Sequence, residues 1–182
     1  MLPLLCRPFL SAVVVSMSWL SACSDGDAFQ KPPLSFPFDT QTAGFKIETD
    51  VRLDEYNVYT FDFLFGFKEG DSSDRARVEK LVGSYELNKA GKPVEPGVPI
   101  SVRVRISALK PSVLESSFER DFTEHRLHAW SDTYFQTEIV QLKLKPGTYH
   151  LVIENLKDIP ELKGTPVTVT MTTDPKSSSI PE

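Results

Sequence analysis

The sequence predicts an all-β protein, a mainly antiparallel β-sandwich of about seven or eight strands with one short helix in a crossover. Apolar residues alternate with polar ones at a period of two in several segments, as in strands with one buried face. Turn residues, chiefly glycine, proline and asparagine, separate these segments at even spacing. The regular alternation of strands with helices that would indicate a parallel sheet is not seen in the sequence. A signal peptide and a tether are expected to precede the domain.

Residues 1–22 are predicted to be a lipoprotein signal peptide. An apolar run over residues 8–20 ends in Leu20-Ser21-Ala22-Cys23, which resembles the lipobox of bacterial lipoproteins. As a helix this run would rise about 20 Å, short of a hydrocarbon core of about 30 Å, so cleavage is favoured over a membrane span. After cleavage, Cys23 would carry diacylglycerol on its thiol and an acyl chain on its amine, which together anchor a protein durably. No other cofactor is expected.

Residues 23–37 are predicted to be the acylated cysteine and a proline-rich tether, because three prolines favour extended backbone and no hydrophobic period is visible. Ser24 directly follows the cysteine, which indicates an outer membrane lipoprotein facing the periplasm, with the inner membrane as the alternative. The β-sandwich domain is expected over residues 38–173 and a disordered tail over residues 174–182.

The charge and the cysteine content of the chain limit its possible partners and its means of stabilisation. The chain of 182 residues has a formal net charge of −5 and no basic tail, which argues against binding to nucleic acid. Its two cysteines, Cys6 and Cys23, lie in the signal peptide and at the lipid site. The mature domain would therefore be stabilised by packing and not by disulfides.

The first predicted strands follow the tether. Phe45, Ile47, Val51 and Leu53 alternate with polar residues, which indicates a strand with one solvated face. The next predicted strand carries five aromatic residues on one face, which are Tyr59, Phe61, Phe63, Phe65 and Phe67. Because each aromatic side chain buries roughly 150 to 250 Å², packing under a second sheet is favoured over a platform for a sugar or a nucleobase.

One helix is predicted over residues 71–83. Asp71 or a following serine can cap the first backbone N–H groups, and Gly83 can end the helix in a left-handed conformation. An apolar edge would pack across one end of a sheet, and it consists of Val78, Leu81 and Val82. The insertion that contains this helix is expected to cross from one sheet to the other.

Alternation resumes after a turn-rich loop at residues 88–99. Further strands are predicted at residues 100–107, 113–122, 140–145, 149–154 and 167–172. Lys145 to Tyr149 contain a Pro-Gly turn and are expected to form a hairpin. Residues 123–133 break the alternation and are expected to form an irregular loop.

Three stretches carry a resemblance to a known family, and they read YTFDFLFGFKEGDSSDRARVEKLVG, GKPVEPGVPISVRVRI and LKPGTYHLVIENLKDIPELKGTPVTVTM. Together with the strand order they resemble a family of small Gram-negative lipoproteins with a single β-sandwich domain of unknown function. The similarity extends from about Phe36 to Thr172. The resemblance implies this fold and, through neighbouring toxin-secretion genes, an immunity-type role. It implies no catalytic residues.

Neither a catalytic nor a metal site is predicted, so the protein is not expected to be an enzyme. His125 and His128 stand three residues apart, near Asp121 and Asp132. On a helical turn, two imidazoles at this spacing can bind the same metal ion. Arg126 between them and the lack of a second ligand cluster favour a solvated loop. The sequence also contains no glycine-flanked serine elbow and no phosphate-binding loop.

Two surfaces are candidates for binding a protein partner. The first is the irregular segment of residues 123–135, because loops at the end of a sandwich often carry recognition residues, although Trp130 could equally plug the sandwich end. Its residues are His125, His128, Trp130, Tyr134 and Phe135. The second is a basic stripe that could meet an acidic partner if its two strands were neighbours, although ordinary solubility also explains it. Its residues are Arg103, Arg105, Lys143 and Lys145.

The leading interpretation is a lipid-anchored, non-enzymatic protein of the cell envelope that binds a protein partner, with immunity against a periplasmic toxin as one form. The alternative is a carrier or sensor of a small ligand such as a lipid or a glycan. The two interpretations differ in one structural expectation, because a carrier should contain an apolar cavity.

Overall fold

The computed structural model describes residues 29–90, 93–109, 117–123 and 125–173. The predicted signal peptide, Cys23 and the C-terminal tail lie outside the described residues.

The described chain forms nine strands and one α-helix. In chain order these elements are β1 (Leu34–Pro37), β2 (Lys46–Leu53), β3 (Asn57–Gly66), α1 (Ser72–Val82), β4 (Val102–Ala108), β5 (Ser117–Phe122), β6 (Arg126–Trp130), β7 (Tyr134–Leu144), β8 (Gly147–Asn155) and β9 (Val167–Thr173). The strands pair antiparallel into a five-stranded sheet, ordered β1, β9, β3, β7, β6, and a four-stranded sheet, ordered β2, β8, β4, β5. The predicted β-sandwich is thereby confirmed.

The aromatic face of β3 lies in the core of the sandwich. Phe61 and Phe63 are fully buried, and Tyr59 and Phe65 are nearly so. Tyr149 of β8, in the four-stranded sheet, belongs to the same buried cluster. The period-two alternation of β3 therefore reports core packing, as the sequence predicts.

The predicted helix is confirmed at both ends. The Asp71 carboxylate accepts hydrogen bonds from the backbone N–H groups of Ser73 and Asp74, both at 3.1 Å. Gly83 follows the last turn with a φ of 88°, a region that favours glycine. Val78 and Val82 are buried, and α1 packs against β3 and β7 of the five-stranded sheet.

The first correction concerns the tether, because its last residues are part of the sandwich. β1 pairs with β9, with Leu34 opposite Met171, and the Leu34 side chain is buried. Pro37 is tolerated because β1 is an edge strand, where one side of the backbone needs no hydrogen-bond donor. The domain therefore starts at or before Leu34 and not at residue 38, the start that the proline content of the tether predicts.

The second correction concerns residues 123–133, which were expected to be irregular. β6 lies at the edge of the five-stranded sheet and pairs with β7, and its Leu127 is buried. The register shifts between Leu127 and Ala129. Such a bulge breaks the alternation that would reveal a strand in the sequence.

The third correction concerns the expected hairpin at Lys145 to Tyr149. β7 belongs to the five-stranded sheet and β8 to the four-stranded sheet, so the Pro146-Gly147 turn carries the chain from one sheet to the other. A tight turn fixes the change of direction but not the hydrogen-bond partner of the strand that follows. By contrast, β3 and β4 do lie in different sheets, which confirms the predicted crossover through α1.

Candidate functional site

A cavity of about 560 Å³ lies where the end of α1, the segment before β4 and strands β3, β6 and β7 meet. Its volume falls in the range of about 300 to 1,000 Å³ that is typical of small-molecule sites. Apolar residues predominate in its wall, among them Phe65, Leu81, Val82, Val98, Pro99 and Ile100.

One wall of the cavity depends on a close contact between two glycines. The segment between α1 and β4 returns along the helix end, where the Val98 N–H donates to the Leu81 carbonyl at 2.7 Å. A Cβ atom on Gly97 would lie 2.2 Å from the Val82 carbonyl oxygen, and one on Gly83 would lie 2.4 Å from the Gly97 nitrogen. Only glycine at both positions allows the two backbones to approach this closely.

The cavity wall also contains two polar side chains with unsatisfied atoms. Thr137 of β7 is 1 % exposed, and its Oγ1 atom has no hydrogen-bond partner within the described structure. His125 precedes β6, and its Nδ1 atom is likewise buried without a partner among the described residues. Leaving such a group unsatisfied costs about 1 to 3 kcal/mol, so native proteins retain few of them.

The second ring nitrogen of His125 is held by the backbone. Its Nε2 atom lies 2.6 Å from the Ile100 carbonyl, and the ring packs edge-on against Phe63 with centroids 5.1 Å apart. Burial lowers the pKa of His125, and this effect outweighs the opposing influence of the Ile100 and Glu138 backbone groups.

Arg126 is the one charged residue in the described part of the cavity wall. The remaining polar members include Asn88 and Thr123. Since no carboxylate is found among these wall residues, a cationic ligand would lack a counter-charge inside the cavity.

The structure does not bring His125 and His128 together. His125 lies at the cavity, whereas the His128 Nε2 atom hydrogen-bonds the Asp62 carboxylate at 3.0 Å on the opposite face of the five-stranded sheet. Within the described residues, no group of three or more histidine, cysteine or acidic side chains is arranged to hold a metal ion.

Asp62 is an unusual residue for an outer sheet face, because its side chain is only 1 % exposed. It accepts hydrogen bonds from His128 and from the Gln136 amide, the latter at 2.9 Å. Thr170 lies opposite it on β9 and is also buried. The hydrogen bond to Asp62 fixes the His128 ring in one orientation.

Trp130 does not plug the sandwich. Its side chain is 54 % exposed and packs against the equally exposed Tyr85, with ring centroids 5.5 Å apart. Leu87 and Val94 are exposed apolar residues of the same segment as Tyr85. We call these four residues the aromatic patch. Tyr134 is half-buried and Phe135 is buried against Phe67, so neither extends the patch freely into solvent.

The predicted basic stripe does not form. Arg103 and Arg105 lie on β4 of the four-stranded sheet, whereas Lys143 lies on β7 of the other sheet and Lys145 follows it. The two arginines are also engaged by β5. Arg103 forms a bidentate pair with Asp121 at 2.7 and 3.0 Å, and Arg105 a similar pair with Glu119 at 3.0 and 3.1 Å.

Sequence reasoning missed Thr137, Asp62 and the glycine pair. Thr137 faces the core between Phe135 and Ile139, so the alternation of buried positions on β7 was the signal that could have found it. Asp62 alternates with the aromatic residues of β3 and lies on the opposite face of that strand. In the sequence it therefore looks like an ordinary solvated acid. The partners that make both residues unusual come from distant parts of the chain.

A family model described as Domain of unknown function (DUF5625) matches residues 35–173. Its start within β1 agrees with the placement of that strand in the domain. No curated protein matches the chain. Among the described residues, no helix is both long and apolar enough to cross a membrane.

A solved structure with a similar fold supports the two-sheet architecture. A protein from Sulfurospirillum deleyianum, known from its crystal structure, aligns over 79 % of this chain and 98 % of its own with a TM-score of 0.62 and 20 % identity. A ruminal GH26 endo-β-1,4-mannanase aligns with a TM-score of 0.38 and 11 % identity over 85 % of this chain and 28 % of its own. That second score is too low to carry an argument about activity.

Proposed function

We propose that this chain, which belongs to the DUF5625 family of domains of unknown function, binds a small, largely apolar ligand in the cavity beside α1. The observation that carries the proposal is the cavity itself, whose volume of about 560 Å³ and mainly apolar wall suit a small apolar molecule. The function is that of a carrier or sensor and involves no catalysis.

The proposal includes the cell envelope as the place of action. A lipid on Cys23 would hold the domain close to an outer membrane from the periplasmic side. The cavity wall favours a lipid-like ligand over a glycan, because a glycan presents many hydroxyl groups and the wall has few polar partners for them.

Titration with the neutral dye N-phenyl-1-naphthylamine tests the cavity directly. We expect saturable binding to one site with a rise in fluorescence. Val98→Trp should weaken the dye affinity at least about tenfold, because the indole would occupy the cavity beside Leu81. Leu109→Trp is the control, since Leu109 is 44 % exposed and outside both the cavity wall and the aromatic patch.

Two outcomes would contradict the proposal. One is an absence of saturable dye binding to the folded protein. The other is an equal affinity of the Val98→Trp and Leu109→Trp variants, which would place the dye elsewhere on the molecule.

A protein partner is the second candidate function, and the exposed aromatic patch favours it. Tyr85 and Trp130 form a rigid apolar surface of the residue types that anchor protein interfaces. Immunity against a periplasmic toxin is one form of this function. Co-expression with the product of an adjacent toxin gene should then protect cells, and Trp130→Ala should abolish protection. If cells that express the toxin survive equally well with and without this protein, immunity is ruled out.

A further inference from the structure

We infer that residues 84–90 and 93–97, which we call the strap, form a lid on the cavity, and that a ring contact between Tyr85 and Trp130 holds this lid closed. The inference rests on the proposed function, because it describes how a ligand reaches the same cavity. It follows from the hydrogen bonds of the strap, from its exposure and from its aromatic contact with β6.

The strap and β6 supply two separate parts of the cavity wall. Asn88, Pro93 and Pro96 line the cavity from the strap. Arg126, the first residue of β6, lines it from the five-stranded sheet. A change in the distance between the strap and β6 would therefore change the width of the cavity.

The two arms of the strap are hydrogen-bonded to each other. The Val94 N–H donates to the Glu86 carbonyl at 2.8 Å. The Ser84 N–H donates to the Glu95 carbonyl, also at 2.8 Å. Among the described residues, no backbone hydrogen bond joins the strap to a strand of either sheet. The strap can therefore move as one unit about its base, where the close glycine pair joins it to the end of α1.

Little apolar burial holds the strap in place. Each of its described residues is exposed or half-buried, including the large apolar residues Tyr85, Leu87 and Val94. Burial of apolar surface is the main force that fixes a segment, and segments with few buried contacts open locally at low cost. We therefore expect the strap to open while both sheets stay folded.

The contact between Tyr85 and Trp130 is the latch of the lid. Trp130 is the last residue of β6, and its ring lies 5.5 Å from that of Tyr85, inclined by 37°. Neither residue belongs to the described cavity wall, so the contact acts on the position of the strap and not on a bound ligand. An aromatic pair changes an equilibrium by about two- to tenfold, which favours the closed strap and still permits frequent opening.

Stopped-flow binding of N-phenyl-1-naphthylamine to the protein tests the latch. Trp130→Ala should raise the association and dissociation rate constants together, each by about two- to tenfold, because both steps require an open strap. The dissociation constant, which is their ratio, should therefore stay near that of the wild type. Trp130→Phe is the matched control, because it keeps a ring opposite Tyr85 and should bind and release the dye at rates close to those of the wild type.

A second variant shows whether the two rings act as one contact. Tyr85→Ala should accelerate both steps as Trp130→Ala does. The double variant should be no faster than either single variant, because each single change already breaks the contact. Leu109→Ala changes an exposed residue outside the strap and the described cavity wall, and it should leave both rate constants unchanged.

The outcomes separate this inference from the proposed function. Unchanged rate constants in Trp130→Ala and Tyr85→Ala would overturn the latch and leave the cavity as a binding site. Faster dissociation without faster association would also overturn it, because the rings would then be direct contacts of the dye. An absence of saturable dye binding to the wild type would overturn both the latch and the proposed function.

Discussion

The three histidines have different environments, although two of them, His125 and His128, are only three residues apart. His125 faces the cavity and is held by a backbone carbonyl. His128 lies on the outer face of the five-stranded sheet and is paired with a buried carboxylate. His150 lies on the outer face of the four-stranded sheet, where Asp50 and Glu48 flank it. The same residue type therefore lies beside a cavity, beside a buried carboxylate and beside two surface carboxylates in one molecule.

His150 should make stability depend on pH. Its hydrogen bond to Asp50, at 2.7 Å, is the main cause that raises its pKa above the ordinary 6.5. Its stabilising effect is therefore fully present below pH 6.5 and is lost as the pH rises through the higher folded-state pKa. Because the pair is about one-third exposed or more, the effect should not exceed about 0.5 kcal/mol.

The measurement is the free energy of unfolding of the wild type and of His150→Gln at about pH 5.5 and about pH 8.5. The wild type should be the more stable of the two at the lower pH, and the difference should shrink at the higher pH. A difference that grows as the pH rises would contradict the assignment.

The segment between α1 and β4 is the element on which the cavity depends. Gly97→Ala would place a Cβ atom 2.2 Å from the Val82 carbonyl oxygen and push the segment away from the helix. We expect a loss of about 1 to 3 kcal/mol in the free energy of unfolding, together with weaker dye binding. Gly147→Ala is the control, because its nearest contact, at 3.4 Å, is a Tyr149 ring atom. Equal denaturation midpoints for the two variants would show that the close approach is unnecessary.

β1 is the element that proline content assigned to the tether. Leu34 is buried against the core, so Leu34→Ala should cost about 2 kcal/mol in chemical denaturation. Leu109→Ala, at a position that is 44 % exposed, should cost less than about 0.5 kcal/mol. A Leu34→Ala variant as stable as the wild type would return these residues to the tether.

Local patterns predicted the elements whose determinants are local. The aromatic alternation of β3 and the capping residues of α1 are both visible within a few residues of sequence. The pairing of strands is not local, which is why the turn at Pro146 was mistaken for a hairpin. β6 escaped prediction because its bulge breaks the period.

The candidate site was less predictable than the fold for the same reason. His125 was selected from the sequence as a partner-binding residue, but its relation to Thr137 depends on the pairing of two strands and on the backbone of Ile100. The close approach of Gly97 to Val82 depends on how a long segment folds back. These contacts join residues that no local pattern connects.

The whole molecule combines a two-sheet core, a cavity beside α1 and a proposed lipid anchor at Cys23, ahead of the domain. The inner faces of both sheets are closely filled by apolar side chains. The cavity beside α1 is therefore a feature of the sandwich end, where the helix and its following segment cover the sheets. The proposed membrane anchor would keep the domain close to a source of apolar molecules that dissolve poorly in water.

The anchor predicts a covalent modification of the complete protein. Cells grown with an alkynyl fatty acid should incorporate the label into the wild type, because the Cys23 thiol and amine would be the acylation sites of the proposed anchor. Cys23→Ala should abolish the label and release the protein from the membrane fraction, whereas Cys6→Ala should remain labelled. Undiminished labelling of Cys23→Ala would contradict the anchor.

The most direct test of ligand binding is the backbone NMR spectrum of the domain during titration with N-phenyl-1-naphthylamine. The binding account predicts that the largest amide shifts occur in the cavity wall, at Val98, Ile100 and Thr137, with smaller shifts at Tyr85 and Trp130 on the aromatic patch. Shifts confined to the aromatic patch, or no saturable shifts at all, would contradict the account.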